Sequence, residues 1–528
     1  MNATTQINYL RQVFSSNKNK TFLVDALTQK EFSYGELECL SLQAAGFLKN
    51  LGVQKGDKIA VLLPNCFEFI VLYFSSMQLG TVIVPINPKL TSKEIDYILR
   101  NSGAKILFAS ESLHREMKSL LLDSGTKVFF ISPSRNTGVP TQPTRPTQPV
   151  QPAQKDFFAS LPACKNDGLL FENICDDDVM LIIYTSGTTS MPKGVVISYG
   201  KIIKNGRVFS DAVGISPDSR FYNPLSMAYL GGFYNLTLIP FLSQSSVVLD
   251  DAFNPASAIN FWKNVIKFKA TALWLVPSIM SALLSLDRGV DGENYCKQNV
   301  KLCLVGTAPL SVYLKKKFEE KYGVVLYENY GLSETFFIST NSRRFSRNAG
   351  VGKLLLGCEV LITDDNSKAL KPNERGEVVV RSEYLMNGYY FNTHEPNNKI
   401  ESGLFHTGDV GFLDDEMYLF ITDRKKDLII RGGINISPKE IEDAISQHPL
   451  VDEVAVVGVP NELLGEEIIA VIKPKKDFAP AEVSSLCKNS LASFKIPQNF
   501  FFTKEFPRST SGKIQKNKLR ELFASKGA

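Results

Sequence analysis

The length, composition and charge of the chain are those of a folded protein with several units. Its 528 residues are 44% hydrophobic and 21% charged, which excludes an intrinsically disordered chain. A length of this order predicts roughly three packing units. The formal charge of +5 is too dilute to indicate a nucleic-acid partner. Residues 424–528 carry 17 basic and 13 acidic side chains, so this region is either a phosphate-facing module or simply a solvated surface.

Cysteine and histidine usage argues against several kinds of site. The eight cysteines include no CxxC pair, which argues against a zinc site and predicts reduced thiols in a cytoplasmic protein. No HExxH or GxSxG motif occurs, so zinc-protease and serine-hydrolase chemistry lose their best support. Because the first 20 residues are polar, we predict no secretory signal.

In chain order, short apolar runs alternate with helical patterns from residue 58 onward. The runs KIAVLLP, FEFIVLYFSSMQLG, TVIVPI, TSKEIDYILRNSG and KILFAS predict strand–helix–strand units, and hence a parallel sheet covered by helices. The stretch 69–88 has no charged residue and is long enough to cross a bilayer. Its polar residues and prolines predict instead a buried helix that ends at Gly80 and a buried strand after it, so we predict no transmembrane segment.

A proline-rich segment, 133–152, then interrupts the pattern. Its six prolines predict an exposed polyproline-like loop, either an inert insertion or a ligand for a PxxP-reading partner. Strand patterns resume at VMLIIY, VVLD, ALWLV and KLCLV, and a β-rich stretch follows over 351–419. We therefore predict an α/β fold. A large N-terminal domain (1–423) of parallel and mixed sheets with flanking helices and a β-rich subdomain precedes a small C-terminal α+β domain (424–528).

The segment YTSGTTSMPKG (184–194) has the composition of a phosphate-binding loop. It follows the apolar run VMLII and holds five serines and threonines, two glycines and one lysine. Glycines let backbone N–H groups approach an anion, hydroxyls donate to phosphate oxygens, and Lys193 supplies a point charge. It is not a Walker A loop, because Lys193 is followed by Gly194. By composition alone, such a run is also typical of an ordinary turn.

Seven segments resemble the motifs of the adenylate-forming superfamily, and they occur in the same order as in that family. This family includes acyl- and aryl-CoA synthetases, firefly luciferase and the adenylation domains of non-ribosomal peptide synthetases. The segments are YTSGTTSMPKG (184–194), GTAPL (306–310), YENYGLSET (327–335), HTGD (406–409), DRKKD (423–427), GGIN (432–435) and PRSTSGKI (507–514). The likeness covers roughly residues 22–522, nearly the whole chain.

The resemblance implies that the chain binds ATP with Mg²⁺. The nucleotide-binding positions that it implies are Thr185, Ser186, Gly187, Thr188, Thr189 and Lys193 on the phosphates, Gly306, Thr307, Ala308, Tyr330 and Gly331 around adenine, Ser333 on the α-phosphate, and Asp409 and Arg424 on the ribose. Glu334 would be the Mg²⁺ ligand, since a hard cation that bridges phosphates takes oxygen ligands.

Three further positions concern the C-terminal domain, which the resemblance implies is mobile. Lys426 matches the hinge about which this domain rotates between two half-reactions. Gly433 matches the glycine that lets a pantetheine arm pass close to the backbone. Lys513 matches a lysine that stabilises charge on the α-phosphate and the attacking carboxylate. Together with Glu334 and Lys193, Lys513 is therefore an expected catalytic residue.

The implied reaction has two steps. A carboxylate attacks the α-phosphorus of ATP to give an acyl-adenylate and pyrophosphate, and a thiol then displaces AMP. The thiol is that of CoA or the phosphopantetheine of a separate acyl or peptidyl carrier protein. In this family, members that activate amino acids usually carry an acidic residue in the motif that residues 225–229 (LSMAY) resemble. No acid is present there, so the resemblance implies a fatty or aryl acid as the substrate. The residues predicted for an apolar acyl pocket, each of which could equally be core, are Met227, Tyr229, Phe233, Trp274 and Val305.

Three positions depart from the family pattern. Ser190 replaces a glycine, which reduces backbone freedom in the phosphate loop. Tyr199 stands where many relatives have histidine, and Met227 lies near another histidine that is frequent in the family. A degenerate relative that binds ATP or acyl groups without turnover is therefore one alternative, and a stand-alone carrier-protein ligase is another. Retention of Lys513 argues against the degenerate alternative, because pure binding does not need it. A luciferase-like oxygenase is the least favoured alternative.

Overall fold

A computed structural model describes residues 5–113, 126–131, 161, 173–185, 192–287, 289–347, 350–390, 400–432, 434–461, 463–509 and 513–524. The proline-rich loop 133–152, the centre of the phosphate loop (186–191) and Gly433 lie outside these residues. Within the described ranges, no helix is both long and apolar enough to cross a membrane.

Six strands of the N-terminal part form a mostly parallel sheet. They are β3 (Lys58–Leu62), β4 (Val82–Pro85), β5 (Ile106–Ser110), β6 (Lys127–Ile131), β7 (Val179–Thr185) and β8 (Lys193–Ser198). Their order is β6-β5-β3-β4-β7-β8, and the pair β7–β8 at one edge is antiparallel. Thr185 at the end of β7 therefore pairs with Lys193 at the start of β8, on either side of the phosphate loop.

A second sheet of 14 strands runs through the rest of the N-terminal part. Its first strands are β1 (Thr21–Asp25), β2 (Glu31–Ser33), β9 (Arg220–Asn223), β10 (Ser246–Leu249), β11 (Ala272–Leu275), β12 (Leu302–Val305) and β13 (Leu326–Leu332). Its later strands are β14 (Phe336–Thr340), β15 (Gly352–Leu354), β16 (Cys358–Thr363), β17 (Gly376–Ser382), β18 (Ile400–Glu401), β19 (Leu404–Leu413) and β20 (Tyr418–Arg424). The order is β16-β17-β19-β20-β15-β14-β13-β12-β11-β9-β10-β1-β2, with β18 beside β19.

Strand β13 joins two halves of different character. It pairs in parallel with β12 over residues 326–328 and antiparallel with β14 over residues 329–332. The predicted β-rich stretch is therefore present, but it continues the parallel half of the same sheet instead of standing apart from it.

Helices pack on both faces of the two sheets. Those of the N-terminal part are α1 (Gln6–Ser16), α2 (Tyr34–Asn50), α3 (Phe67–Leu79), α4 (Ser92–Ser102), α5 (Tyr199–Val213), α6 (Ile239–Leu242), which continues a π-helix (Gly231–Leu238), α7 (Phe261–Lys267), α8 (Pro277–Leu286), α9 (Asp291–Asn299) and α10 (Val312–Tyr322). Helices α3 and α5 contribute to one large core cluster together with strand residues of both sheets, so they lie between the sheets.

Helix α3 is buried on every side, from Phe67 to Gln78. The ring of Tyr73 stacks on that of Phe233 with 3.6 Å between the centroids. The helix ends at Gly80, whose φ of +72° is the left-handed conformation that glycine adopts at little cost, and β4 follows. This confirms the prediction for residues 69–88, because a helix between two sheets needs no polar face.

The C-terminal part has a sheet of its own. Its strands are β21 (Ile429–Arg431), β22 (Ile434–Ile436), β23 (Val451–Asn461), β24 (Gly465–Pro474) and β25 (Asn499–Phe502), and its helices are α11 (Pro438–Ile445), α12 (Pro480–Ser490) and α13 (Lys516–Ala524). The chain leaves the large sheet at Arg424, makes one helical turn at 425–427 and enters the small sheet at Ile429. The domain boundary predicted between 423 and 424 falls at the end of the last strand of the large sheet.

Helix α11 carries a carboxyl group whose charge is disfavoured in the folded state. Burial raises the pKa of Asp443 to about 6, and Glu442 and Asp423 add to the effect while Lys439 opposes it. Between pH ~4 and ~6, the folded protein therefore holds a proton that the unfolded chain has released. The free energy of unfolding falls as the pH rises through this range.

We expect Asp443→Asn, which is neutral at every pH, to raise the Tm by about 1–3 °C at pH 8. The gain should shrink as the pH is lowered through 6 and vanish near pH ~4, because the wild-type carboxyl is then also neutral. Thermal unfolding of both proteins between pH 4.5 and 8 measures the difference. A gain that is independent of pH would assign the effect to packing and not to the charge.

Candidate active site

Strand ends and turns of both sheets bring the predicted residues to one region. Residues 306–308 follow β12, Tyr330 and Gly331 lie within β13, and residues 333–334 form the turn into β14. Asp409 lies in β19 opposite Arg424, the last residue of β20. The carboxyl ends of parallel strands are the usual place for ligands in open α/β sheets, so the position is physically expected.

The predicted adenine segment is held by a buried asparagine. The Asn329 side-chain amide donates to the Val305 carbonyl at 2.9 Å. A Cβ on Gly306 would collide with the Asn329 side chain, so the segment approaches β13 more closely than any other residue would allow. Thr307 next to it has φ +69°, a conformation that is strained for a threonine. The segment after β12 is therefore held in a fixed and partly strained shape.

Tyr330, Asp409 and Arg424 form a hydrogen-bonded group. The Tyr330 hydroxyl donates to Asp409 Oδ2 at 2.5 Å, and Arg424 Nε lies 2.5 Å from Asp409 Oδ1. Asp409 is only 2% exposed. Burial and the Asp409 carboxylate raise the pKa of Tyr330 well above its usual value, so the phenol stays protonated. A carboxylate is an acceptor with two oxygens, the kind of group that ribose hydroxyls bind.

Glu334 is presented by a tight turn. The Leu332 amide donates to Thr335 Oγ1 at 3.1 Å, and the Thr335 amide donates to the Leu332 carbonyl at 3.2 Å. The Tyr389 hydroxyl donates to Glu334 Oε1 at 2.9 Å. Lys193 Nζ lies 5.7 Å from the centroid of the same tyrosine ring. The charged group from the phosphate loop and the predicted metal ligand therefore share one neighbour.

The donor set around Glu334 fits Mg²⁺ bound together with a nucleotide. Among the residues described, no group of three or more Asp, Glu, His or Cys side chains is arranged to hold a metal ion. A cation held by a single carboxylate must take its other ligands from phosphates and water, which is how Mg²⁺ usually binds. The residues present therefore fit Mg·ATP and not a permanently bound ion.

A short hairpin holds Lys513. Arg508 and Ile514 form a β-bridge, the Ser509 amide donates to the Lys513 carbonyl at 2.8 Å, and the Lys513 amide donates to Ser509 Oγ at 3.2 Å. The Arg508 guanidinium donates to both carboxylate oxygens of Glu453 on β23, each at 2.6 Å. This two-pronged ion pair fixes the hairpin to the body of the C-terminal sheet.

The Lys513 side chain reaches the group formed by the N-terminal residues. The pKa of its ammonium is lowered, because the many protein atoms around it remove water and because Arg424 and Lys426 repel it, while Asp409 and Glu334 attract it. Lys513 as a whole is still exposed to solvent. The structure therefore brings Lys513, Glu334, Asp409 and Arg424 to one place.

The predicted hinge residue, Lys426, is exposed and lies in the turn at 425–427. Arg520 of α13 donates to the Lys426 carbonyl at 3.4 Å and to Asp427 Oδ1 at 3.0 Å. The turn that joins the large sheet to the C-terminal sheet is thus hydrogen-bonded to helix α13 of the C-terminal part. Its role as a hinge stays a prediction.

The predicted acyl-pocket residues do not form a single group. Met227, Phe233 and Trp274 are fully buried in the large core cluster, and Val305 packs in a second cluster on the other face of the large sheet. Tyr229 is half-buried. The acyl pocket stays a prediction, and so do the roles of Ser186, Gly187, Thr188, Thr189 and Gly433, which lie outside the described residues.

Sequence analysis missed Tyr389, Asn329 and the pair Arg508–Glu453. Tyr389 and Glu334 are 55 positions apart, and so are Arg508 and Glu453. No local pattern signals such contacts, since they join segments that are distant in the sequence. Asn329 lay within the recognised segment 327–335 and could have been singled out as a buried amide next to a glycine turn.

Comparisons with known proteins agree along nearly the whole chain. The profile described as AMP-binding enzyme matches residues 10–390, and that described as AMP-binding enzyme C-terminal domain matches residues 440–513. A long-chain-fatty-acid–CoA ligase of Bacillus subtilis is 29% identical over 514 residues, which cover 93% of this chain and 90% of that protein.

Solved structures of MatB from Rhodopseudomonas palustris show the same architecture. The ATP-bound structure is 27% identical and gives a TM-score of 0.86, with 99% of this chain and 100% of that chain covered. The apo structure of the same protein covers the same shares, is also 27% identical and gives a lower TM-score of 0.76. The arrangement of this chain therefore resembles the ATP-bound form more closely.

Proposed function

Since the chain belongs to the AMP-binding enzyme family, we propose that it is an AMP-forming acid–thiol ligase that activates a fatty or aryl acid and transfers the acyl group to CoA. The observation that carries the proposal is that Lys513 of the C-terminal part lies near Glu334, Asp409 and Arg424. A cation, a metal-binding carboxylate and a ribose-binding group are what activation by ATP requires.

In the first step, an oxygen of the substrate carboxylate attacks the α-phosphorus of ATP and the bond to pyrophosphate breaks. The side chains of Tyr330, Asp409 and Arg424 orient the nucleoside, and Glu334 directs an oxygen ligand toward the metal. When bound, Mg²⁺ neutralises phosphate charge. The Lys513 ammonium stabilises the negative charge that develops between the two reactants, and Lys193 holds the departing pyrophosphate. Positioning and charge stabilisation account for this catalysis without a side-chain nucleophile.

In the second step, the sulfur of a thiol attacks the acyl carbonyl carbon, the thiol proton is released, and AMP leaves with its bonding electrons. Lys513 is not needed on the α-phosphate at this stage, so its hairpin can withdraw with the C-terminal part. We place the hinge at the turn 425–427. This turn joins the large sheet to the C-terminal sheet.

The acceptor and the location belong to the same proposal. CoA is the acceptor in the name of the Bacillus subtilis ligase, and a separate carrier protein is the alternative. We place the protein in the cytoplasm, which is supported by eight scattered cysteines without a CxxC pair, a pattern typical of reduced thiols.

Carboxylate-dependent exchange of pyrophosphate into ATP, without CoA, tests the proposal. We expect exchange with one class from a panel of fatty, aryl and amino acids, which identifies the first step and the substrate class together. Addition of CoA or of a carrier protein then separates the two acceptors by which one forms a thioester. Measurable ATP binding without exchange for any acid would contradict the proposal and favour a binding protein without turnover.

A further inference from the structure

Tyr389 reaches the site because the segment after β17 is hydrogen-bonded to the edge of the other sheet. The Asn387 amide donates to the Val196 carbonyl at 2.8 Å, and the Val196 amide donates to the Gly388 carbonyl at 3.0 Å. The Tyr390 amide donates to the Gly194 carbonyl at 2.8 Å. Residues 387–390 thus pair antiparallel with β8 and connect the six-stranded sheet to the large one.

The same segment is also bonded to the turn that carries Glu334. The Met386 amide donates to the Glu334 carbonyl at 2.8 Å. The backbone on either side of Tyr389 is therefore fixed both to the strand that begins with Lys193 and to the turn that presents Glu334. A side chain at this position has a defined place relative to both charged groups.

From this position, the Tyr389 side chain contacts both Glu334 and Lys193. Its hydroxyl donates to Glu334 Oε1 at 2.9 Å, which orients the carboxylate and leaves Oε2 for another partner. Its ring lies 5.7 Å from Lys193 Nζ, within the range of a cation–π interaction. Mutation of a group that orients a metal ligand from behind typically costs about 10–100-fold in metal affinity or activity.

We infer that Tyr389 is a positioning residue, which orients Glu334 toward the Mg²⁺ of bound Mg·ATP and holds Lys193 beside the phosphates. The inference rests on the proposed function, because it concerns the same nucleotide site. Tyr389 does not itself contact the reacting atoms. It aligns two groups that come from different sheets, which explains why a tyrosine stands at the joint between the sheets.

Tyr390 is a matched control on the same segment. Its hydroxyl donates to the Ser102 carbonyl at 3.3 Å, and its ring lies 5.6 Å from Lys58 Nζ. It is therefore a half-buried tyrosine with a hydroxyl bond and a nearby lysine, but it points away from Glu334. Tyr390→Phe reports the structural cost of losing a hydroxyl here without a change at the site.

The first measurement is binding, not turnover. An ATP analogue with a methylene bridge between the α- and β-phosphates is titrated by calorimetry at a series of Mg²⁺ concentrations. In Tyr389→Phe we expect the Mg²⁺ concentration at half-maximal tight binding to rise by about 10-fold or more, since changes behind a metal ligand cost about 10–100-fold in metal affinity. Binding of the analogue without Mg²⁺ should be unchanged, and Tyr390→Phe should match the wild type.

The second measurement separates the contribution of the Tyr389 ring from that of its hydroxyl. Tyr389→Phe keeps the ring under Lys193, so the KM for pyrophosphate in the exchange reaction should stay within about twofold. Tyr389→Leu removes the ring, and we expect that KM to rise about 3-fold or more, the size of a partly exposed cation–π contact. Should the leucine variant fail to fold, the phenylalanine variant alone still tests the effect on Mg²⁺.

Two results would overturn the inference. One is an unchanged Mg²⁺ dependence in Tyr389→Phe, and the other is an equal change in Tyr390→Phe, which would assign the effect to the joint between the sheets in general. Failure of the proposed function would look different, because the wild-type protein would then show no exchange with any acid.

Discussion

Lys513→Ala should lower the rate of acyl-adenylate formation by about 100–1000-fold, the usual cost of removing a group that stabilises transition-state charge. Loss of hydration, together with repulsion by Arg424 and Lys426, lowers the pKa of the Lys513 ammonium, while Asp409 and Glu334 attract it. A further negative charge close to the ammonium would stabilise its protonated form. The α-phosphate and the attacking carboxylate supply that charge only during the first step.

The two half-reactions separate this role from a general defect. Pyrophosphate exchange should be lost in Lys513→Ala, while thioester formation from a supplied acyl-adenylate should stay within about threefold of wild type. Lys518→Ala, which changes an exposed lysine on the neighbouring helix α13, is the matched control and should leave both rates unchanged. Equal loss of both half-reactions, or survival of both, would contradict the role assigned to Lys513.

Asp409→Asn should weaken ATP binding by about 10–100-fold, because it removes a buried charge that accepts several hydrogen bonds. The carboxylate is 2% exposed and is contacted by Tyr330 and Arg424. The amide keeps the shape of the side chain, but it no longer attracts Arg424 and offers one acceptor oxygen in place of two. Calorimetric titration with ATP measures the change directly.

The pattern across the two steps distinguishes this variant from Lys513→Ala. Asp409→Asn should impair both half-reactions, since the nucleotide is bound in each. Asp218→Asn, at an exposed aspartate far from the site, should bind ATP as the wild type does. An ATP Kd for Asp409→Asn within twofold of wild type, in a protein with unchanged near-ultraviolet circular dichroism, would rule out the proposed contact with the ribose.

Local sequence patterns were sufficient to predict individual helices and strands. The charge-free stretch around α3 and the glycine that ends this helix are local signals, and the structure confirms them. The compact αβ pattern after Lys426 likewise corresponds to the C-terminal sheet with helices α11, α12 and α13. In both cases the period and the capping residue lie within one element, so the sequence alone carries the information.

The arrangement of the site could be predicted only in part. The resemblance pointed to Tyr330, Asp409 and Arg424 separately, but the bond from Tyr330 to Asp409 joins positions 79 apart, and it changes the role of the tyrosine from a ring alone to a ring with a hydrogen bond. The hydrogen bond from Tyr389 to Glu334 depends on the joint between two sheets. Such contacts follow from strand order, which short-range periodicity does not encode.

The position of α3 between two sheets has a consequence for synthesis on the ribosome. Tyr73 stacks on Phe233, a residue that is made 160 positions later. At about 5–20 residues per second, the helix therefore waits about 10–30 s for the partner that covers it. Helix α2, which is made earlier, already packs on α3, but the side that meets Phe233 stays uncovered during this time. With twelve consecutive buried positions and a single glutamate among them, α3 is a segment of the nascent chain that we expect a chaperone to protect.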